Sequence, residues 1–240
     1  GQSAVITFTF NKDPGASFDT SDITVNGGTL TNLVNHTGTV WTARFMPTDG
    51  SAGQGSISVS AGRYTDSAGN SGAAGAASSL SIDTQGPMAQ LFPGNATTVL
   101  PGKNLVLNFS EAVVINPAGA TMVLVNDTDG TRSSITLSGS MLTQGGTTLT
   151  LTPATSLIAG KQYHVEASPG SLLDAAGNAW AGIASSSTWA NSGWRFTAAT
   201  PTVSLDRITT DNRVNGAENT AGVTISGTFE SNTTGMVADF

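Results

Sequence analysis

The chain has no cysteine among its 240 residues, and only 10% of its residues are charged. The lack of cysteine excludes disulfides, thiolate zinc sites and cysteine nucleophiles. No apolar run reaches the roughly 18 residues of a membrane-spanning helix, so no membrane insertion is predicted. Lysine and arginine total 9 against 16 acidic residues, a formal charge of −7. This bulk charge argues against nucleic acid as a partner, because neutralising phosphates requires clustered basic residues.

Short segments of alternating apolar and small polar residues recur along the chain. The sequence is 38% hydrophobic and contains 29 glycines. Alternation over five or more positions is typical of half-buried strands. It predicts strands at residues 4–10, 41–45, 56–60, 105–109, 122–125, 134–137, 147–152, 163–167, 194–197 and 223–227. Gly-Gly, Asp-Gly and Pro-Gly pairs lie between them as turns. Many short strands at this spacing predict an all-β sandwich or barrel.

An internal repeat indicates the domain organisation. The motif Asp-x-Ala-Gly-Asn occurs at 66–70 and returns at 174–178, 108 positions later. A strand that ends in proline precedes each copy, at Pro47 and at Pro153. A repeated motif with matching flanks predicts two copies of one structural unit.

The predicted domains are 1–84, 85–198 and 199–240. We expect the first to be incomplete at its N-terminal side, because its first strand begins at Ala4 without a preceding edge strand. We expect the third to be the start of a further repeat, because about 40 residues are too few for a sandwich to bury a core.

These segments resemble known families. The first unit (ITFTF…SFDTSDITVNGGTL…WTARFMPTDG…GSISVSAGRYTDSAGN…SLSIDT) resembles the bacterial Ig-like repeats of giant surface adhesins and biofilm-associated proteins. The second (LVLNFSEAV…TTLTLTPATSLIAGKQYHVEASPGSLLDAAGNAWAG…WRFTA) is similar to the Ig-like domain of S-layer and related surface proteins. The third fragment (TVSLDRITTDNRVNGAENTAGVTISGTF) is similar to the opening of another adhesin repeat.

The resemblance implies tandem Ig-like β-sandwich domains of Greek-key-type topology, displayed outside the cell, with calcium at the domain junctions. The first unit departs from the family pattern. The family usually carries Phe-Ser-Glu-Ala after the early strand, which the second unit keeps with Glu111, whereas the first has Lys12 at that position. A calcium site that needs this position in the first unit is therefore in question.

Acidic and amide side chains gather at turns, where they could bind calcium. Calcium takes six to eight oxygen ligands, and an Asp-x-Ala-Gly-Asn loop offers a carboxylate and an amide around a glycine turn. The candidate ligands are Asp66, Asn70, Asp83, Glu111, Asp174, Asn178, Asp206, Asp211 and Glu218. The alternative is that these side chains only cap tight turns, as Asp and Asn commonly do.

Other candidate sites are sparse. Trp180 and Trp189 could form a platform for a glycan or a protein partner from the host or matrix, or could instead cover an insertion loop. His164 alternates with its neighbours on a strand and is expected to point outward. No Gly-x-Ser-x-Gly elbow, Walker loop or dinucleotide fingerprint occurs, so no enzyme activity is predicted.

The sequence therefore predicts a structural extender of a large secreted or cell-surface bacterial adhesin, which supports cell adhesion or biofilm formation. Its partners would be the neighbouring Ig-like repeats of the same polypeptide, and calcium would be its structural cofactor. The alternatives are a ligand-binding module that uses the Trp180 and Trp189 loop, and an accessory module of a secreted hydrolase.

Overall fold

Short strands joined by tight turns make up the described part of the chain. The computed structural model describes residues 3–186 and 189–200, together with the backbone of 203–205 and 227–229. Contacts between residues divide the chain into two units, Gly1–Gly86 with Ala176–Asn178, and Pro87–Ala175 with Ala179–Phe240. Within the described ranges, no helix has the length and apolar character needed to cross a membrane.

The first unit consists of two antiparallel three-stranded sheets. Their strand orders are β1-β4-β3 and β2-β5-β6. The strands are β1 Ala4–Thr9, β2 Ile23–Asn26, β3 Gly28–Asn35, β4 Val40–Pro47, β5 Ala52–Val59 and β6 Ser78–Asp83. In β4 the residues Trp41, Ala43 and Phe45 are buried and alternate with less buried residues, as a strand with one dry face requires.

The core of the first unit is organised around Phe18, which is not in a strand. A single 3-10 turn, Gly15–Ser17, precedes it and directs its ring inward, where only 2% of its surface is exposed. Four aromatic rings contact it edge-on, those of Phe8, Phe10, Trp41 and Tyr64, with centroid distances of 4.8 to 5.9 Å. Edge-to-face aromatic packing of this kind fixes ring positions as well as burying area.

The second unit is a larger sandwich. A five-stranded sheet, β12-β11-β14-β16-β8, faces a three-stranded sheet, β13-β9-β7, and β10 pairs with β15. The strands are β7 Ala89–Phe92, β8 Thr97–Val99, β9 Leu105–Phe109, β10 Val113–Ile115, β11 Thr121–Asn126, β12 Thr131–Thr136, β13 Thr148–Leu151, β14 Gln162–Ala167, β15 Leu172–Asp174 and β16 Arg195–Ala198. All pairs are antiparallel except β8 with β16.

Alternating residues of both sheets fill the second core. Leu105 and Leu107 from β9 and Leu149 and Leu151 from β13 have no exposed surface, and one continuous cluster joins them to Phe196 on the facing sheet. The prediction of all-β, tandem Ig-like sandwich domains is confirmed by this architecture.

Little of the predicted third repeat lies within the described residues. Strands β17 Val203–Leu205 and β18 Gly227–Phe229 pair antiparallel. The calcium candidates Asp206, Asp211 and Glu218 fall outside the described residues, as does most of the strand predicted at 223–227.

Candidate functional site

The two Asp-x-Ala-Gly-Asn motifs form the same tight loop. An antiparallel bridge closes each loop, between Thr65 and Ser71 in the first and between Leu173 and Ala179 in the second. The motif glycines have left-handed backbones, with φ of 81° at residue 69 and 86° at residue 177. Side chains with a Cβ rarely adopt such angles, so the motif requires glycine here.

In the first loop the Asp66 carboxylate is fully engaged by donors. Its Oδ1 accepts hydrogen bonds from the backbone N–H groups of Ala68 and Asn70 at 3.0 and 2.9 Å. Its Oδ2 accepts from Asn70 Nδ2 at 2.9 Å. The Asn70 side chain and backbone are the main reason why the pKa of Asp66 lies far below its usual range. These bonds explain the loop as a capped turn, while its assignment as a calcium site stays a prediction.

A lysine takes part in the same site. Lys12 Nζ lies 3.2 Å from Asp66 Oδ2. By the sequence repeat, Lys12 stands where the second unit has Glu111, and Asp66 stands where it has Asp174. The first unit therefore supplies its own positive charge at this position. The sequence shows Lys12 as a departure from the family pattern but not as the partner of Asp66.

In the second unit the same two positions hold two carboxylates. The register pairs Val113 of β10 with Asp174 of β15, and Glu111 precedes β10 by two residues. Carboxylate oxygens of Glu111 and Asp174 lie within 4.8 Å of each other, and Asp174 is only 3% exposed. Two nearby carboxylates, one of them buried, favour a cation, and hard oxygen donors suit calcium. The donor set of this pair fits calcium chemically.

The two remaining calcium candidates among the described residues, Asp83 and Asn178, lie at a strand end and in a loop. Asp83 is the last residue of β6, is exposed, and accepts a hydrogen bond from the Gln85 backbone at 3.3 Å. Asn178 is half-buried and lies four residues after Asp174. Both stay predicted calcium ligands.

The burial of Trp180 argues against the first of the two alternatives for this residue, a surface platform for a glycan or a protein. This side chain is 3% exposed and packs edge-on against Phe109 at 5.6 Å, within the second core. Its loop folds back so that Trp180 N–H donates to the Leu172 carbonyl at 2.9 Å. Trp189 is half-buried, and the Arg195 guanidinium lies over its ring at 5.5 Å. Trp180 therefore has no face to offer a glycan.

The expectation that His164 points outward is also wrong. His164 is 2% exposed, and both of its ring nitrogens face carboxylates. Nδ1 lies 2.7 Å from Asp127 Oδ2 and Nε2 lies 3.1 Å from Glu166 Oε1. Arg132 pairs with both carboxylate oxygens of Glu166. The four side chains form a row, Asp127–His164–Glu166–Arg132. The acidic side chains of Asp127 and Glu166 cover the ring, and the alternation pattern could not show this.

Acid is expected to weaken this row. Burial alone would raise the pKa of Glu166, but hydrogen bonds from Arg132 and His164 outweigh it and place the pKa below its usual range. A carboxyl with a depressed pKa stabilises the fold above its unfolded pKa, and that contribution is lost as the pH falls through its folded pKa. Scanning calorimetry between about pH 6 and pH 3 should show a falling melting temperature for the second unit. The Glu166→Gln variant should fall less steeply, and an equal slope in both proteins would contradict this assignment.

Comparison with known proteins identifies two successive matches. Two different family profiles, both described as bacterial Ig-like domain, match residues 1–84 and residues 83–198. A solved structure, that of the Yersinia pseudotuberculosis adhesin InvE, is similar at 16% sequence identity with a TM-score of 0.27. That similarity covers 75% of this chain, which spans about half (52%) of the length of the adhesin chain. No curated protein matches the chain.

Proposed function

Because the chain consists, over residues 1–198, of two bacterial Ig-like domains in tandem, we propose that it is a non-catalytic extender of a larger secreted or cell-surface bacterial adhesin. The observation that supports this role is the succession of two separate hydrophobic cores along one chain. Only three residues, 84–86, separate the last strand of the first unit from Pro87. Repeated sandwiches on short connections add length to a polypeptide without requiring a ligand. In this role the partners are the neighbouring repeats, and the setting is cell adhesion or biofilm formation.

The proposed structural cofactor of this chain is calcium. Glu111 and Asp174 supply two carboxylates in the second unit, and Asp83 and Asn178 stay the further ligands that the sequence predicts. A bound divalent cation would neutralise the carboxylate pair and fix the loop that carries the motif. In the first unit Lys12 already provides a positive charge to Asp66. We therefore place the calcium dependence in the second loop rather than the first.

A calcium titration of the whole chain tests this assignment. Isothermal calorimetry should detect binding, and calcium should raise the melting temperature, because a ligand that binds only the folded state stabilises it. The variant Glu111→Lys gives the second unit the residue that the first unit has at this position, Lys12. It should weaken calcium binding by about tenfold or more, since calcium affinity follows the charge count of the ligands.

The control keeps the change in charge but moves it away from the loop. Asp49→Lys makes the same change of charge at an exposed carboxylate in a turn of the first unit and should leave calcium binding unchanged. If the wild-type chain shows neither binding heat nor a shift in melting temperature, the calcium part of the proposal is wrong. Equal binding by Glu111→Lys would place the ion elsewhere.

A further inference from the structure

A recess opens at one edge of the second sandwich. It has a volume of about 350 Å³, which is within the usual range of small-molecule sites. One wall is formed by the edge strand β12 and its neighbour β11, and the other by the loop that joins β13 to β14. All of the residues that line it lie between positions 124 and 163, so the recess belongs to the second unit alone.

The recess exists because part of the core-facing side of β12 is uncovered. In the antiparallel register Thr131 lies opposite Asn126 and Ser133 lies opposite Leu124. Residues opposite each other share one face of a sheet, so both hydroxyls stand on the face that carries the buried Leu124. Thr131 and Ser133 are nevertheless exposed, and Ile135 is the one buried residue of β12. The apolar core therefore ends before this part of β12 and leaves space beside it.

The buried wall of the recess carries a hydroxyl group whose proton has no acceptor. Tyr163 is 5% exposed, and its oxygen accepts hydrogen bonds from the Ile158 backbone N–H at 2.9 Å and from Asn126 Nδ2 at 3.4 Å. Asn126 cannot offer its own oxygen instead, because Oδ1 already accepts from the backbone N–H groups of Thr128 and Asp129. Within the part of the chain that the structure describes, no group accepts the Tyr163 proton. Since a buried donor without a partner costs free energy, the site favours a ligand with an acceptor oxygen.

The other tyrosine of the chain shows the usual arrangement. Tyr64 donates its hydroxyl proton to the Ala73 carbonyl at 2.9 Å. Tyrosine hydroxyls in protein interiors usually find such a partner. The exception at Tyr163 coincides with the recess, where an acceptor can come from outside the chain.

The polar groups around the recess select a neutral ligand that carries hydroxyls. Among the described residues that border it, Arg132 alone is charged, and its guanidinium pairs with Glu166. Hydroxyl groups both donate and accept hydrogen bonds, so they match the hydroxyls of a ligand. Four rim hydroxyls make no hydrogen bond to another described residue, those of Thr131, Ser133, Thr155 and Ser156.

Apolar surface adjoins these hydroxyls. Ile158 is 54% exposed at the recess, and the buried side chains of Leu124 and Leu157 continue the same wall. A ligand that fits this lining is uncharged, carries several hydroxyls and an acceptor oxygen, and has C–H surface. The ring of a pyranose sugar combines these properties.

We propose that the recess binds one neutral pyranose residue, either as a free sugar or as the last residue of a glycan. A sugar oxygen accepts the proton of the Tyr163 hydroxyl, and the sugar hydroxyls bond to the rim around Ser133 and Ser156. The C–H surface of the ring packs against Leu157 and Ile158. This site gives the second unit a binding activity that the role of an extender does not require.

A sugar titration followed by NMR of the whole ¹⁵N-labelled chain tests the proposal. The probes are the methyl glycosides of glucose, galactose, mannose and N-acetylglucosamine at millimolar concentrations. At least one probe should shift the amide signal of Ile158, which donates to the Tyr163 hydroxyl, together with those of Ser133 and Ser156. A disaccharide that ends in the same residue should bind at least as tightly if the ligand is a glycan end, and more weakly if it is a free sugar. Unchanged signals with every probe would overturn the proposal.

Two neighbouring serines provide the matched variants. Ser133→Phe places a ring in the recess, whereas Ser134→Phe makes the same change on the opposite face of β12, where Ser134 lies opposite Val123. Both serines are exposed, so both chains should fold. Ser133→Phe should abolish the shifts and Ser134→Phe should preserve them. Equal binding by the wild type and Ser133→Phe would overturn the proposal.

A tyrosine pair tests the hydroxyl itself. Tyr163→Phe keeps the ring but removes the donor, and it should weaken sugar binding about fivefold, the usual worth of one hydrogen bond. Tyr64→Phe removes a hydroxyl that already has its partner in the first unit, and it should leave sugar binding unchanged. Equal losses in both variants, or a folded Tyr163→Phe chain with wild-type affinity, would contradict the assignment of Tyr163 as the donor.

Discussion

Replacing Phe18 with alanine is expected to lower the free energy of unfolding of the first unit by about 3–5 kcal/mol, the usual cost of truncating a buried aromatic residue. The ring is 2% exposed and contacts four other aromatic rings edge-on. Removing it leaves a cavity that these rings cannot fill without giving up their own contacts. Since a small domain has only about 5–15 kcal/mol of stability, this loss is close to unfolding the unit.

Hydrogen exchange read by mass spectrometry localises this effect. Peptides that cover β4 and β5 should exchange faster in Phe18→Ala, while peptides of β9 and β14 should exchange as in the wild type. Phe92→Ala makes the same chemical change at a side chain that is 43% exposed, and it should cost less than about 1 kcal/mol. A Phe18→Ala chain with unchanged exchange in β4 would show that Phe18 does not organise the core.

His164→Ala is expected to destabilise the second unit by about 2–4 kcal/mol, because removing a buried side chain leaves a cavity and removes a hydrogen-bonding partner from two carboxylates. The imidazole is 2% exposed and separates the carboxylates of Asp127 and Glu166. Without it the two acidic groups lose a shared hydrogen-bonding partner and face each other across a cavity. Denaturant unfolding, followed by the exchange of β14 peptides, measures the loss.

The chain offers its own matched control for this change. His36 is exposed, and its ring bonds only to the Thr42 hydroxyl among the contacts in the described residues, at 2.8 Å. His36→Ala should change the stability of the first unit by no more than about 0.5 kcal/mol. Comparable losses in both histidine variants would mean that the Asp127–His164–Glu166 row contributes nothing specific.

The strands of the two cores could be predicted from alternation. The predicted strands at 4–10, 41–45 and 163–167 coincide with β1, β4 and β14 to within a few residues. Each carries apolar side chains at every second position, which is the pattern of a half-buried strand. Strand β6 (SSLSID) was not among the predicted strands because serine fills half of its positions and only Leu80 and Ile82 are large and apolar.

Long-range contacts explain what the sequence could not predict. Trp180 enters the core because its loop hydrogen-bonds back onto Leu172, eight residues earlier. His164 is buried because Asp127, 37 residues away, covers its ring. Neither contact follows from local periodicity, which registers only which residues share a face.

The sequence predicted which residues form the candidate site, but not which of their charges pair. The sequence repeat aligned Asp66 with Asp174 and showed that Lys12 replaces a glutamate. It could not show that the lysine reaches the aspartate, because that ion pair joins residues 54 positions apart. Once the pair is known, the same fold presents a built-in cation in one unit and a carboxylate pair in the other.

Small-angle X-ray scattering of the whole chain, with calcium and with chelator, tests the calcium-stiffened extender most directly. The account predicts that calcium narrows the distribution of interatomic distances and that chelator broadens it, because an extender stiffened by calcium has fewer accessible conformations. The Glu111→Lys chain should scatter alike under both conditions. Superimposable wild-type curves with and without calcium would contradict the account and leave the tandem domains as an extender that needs no ion.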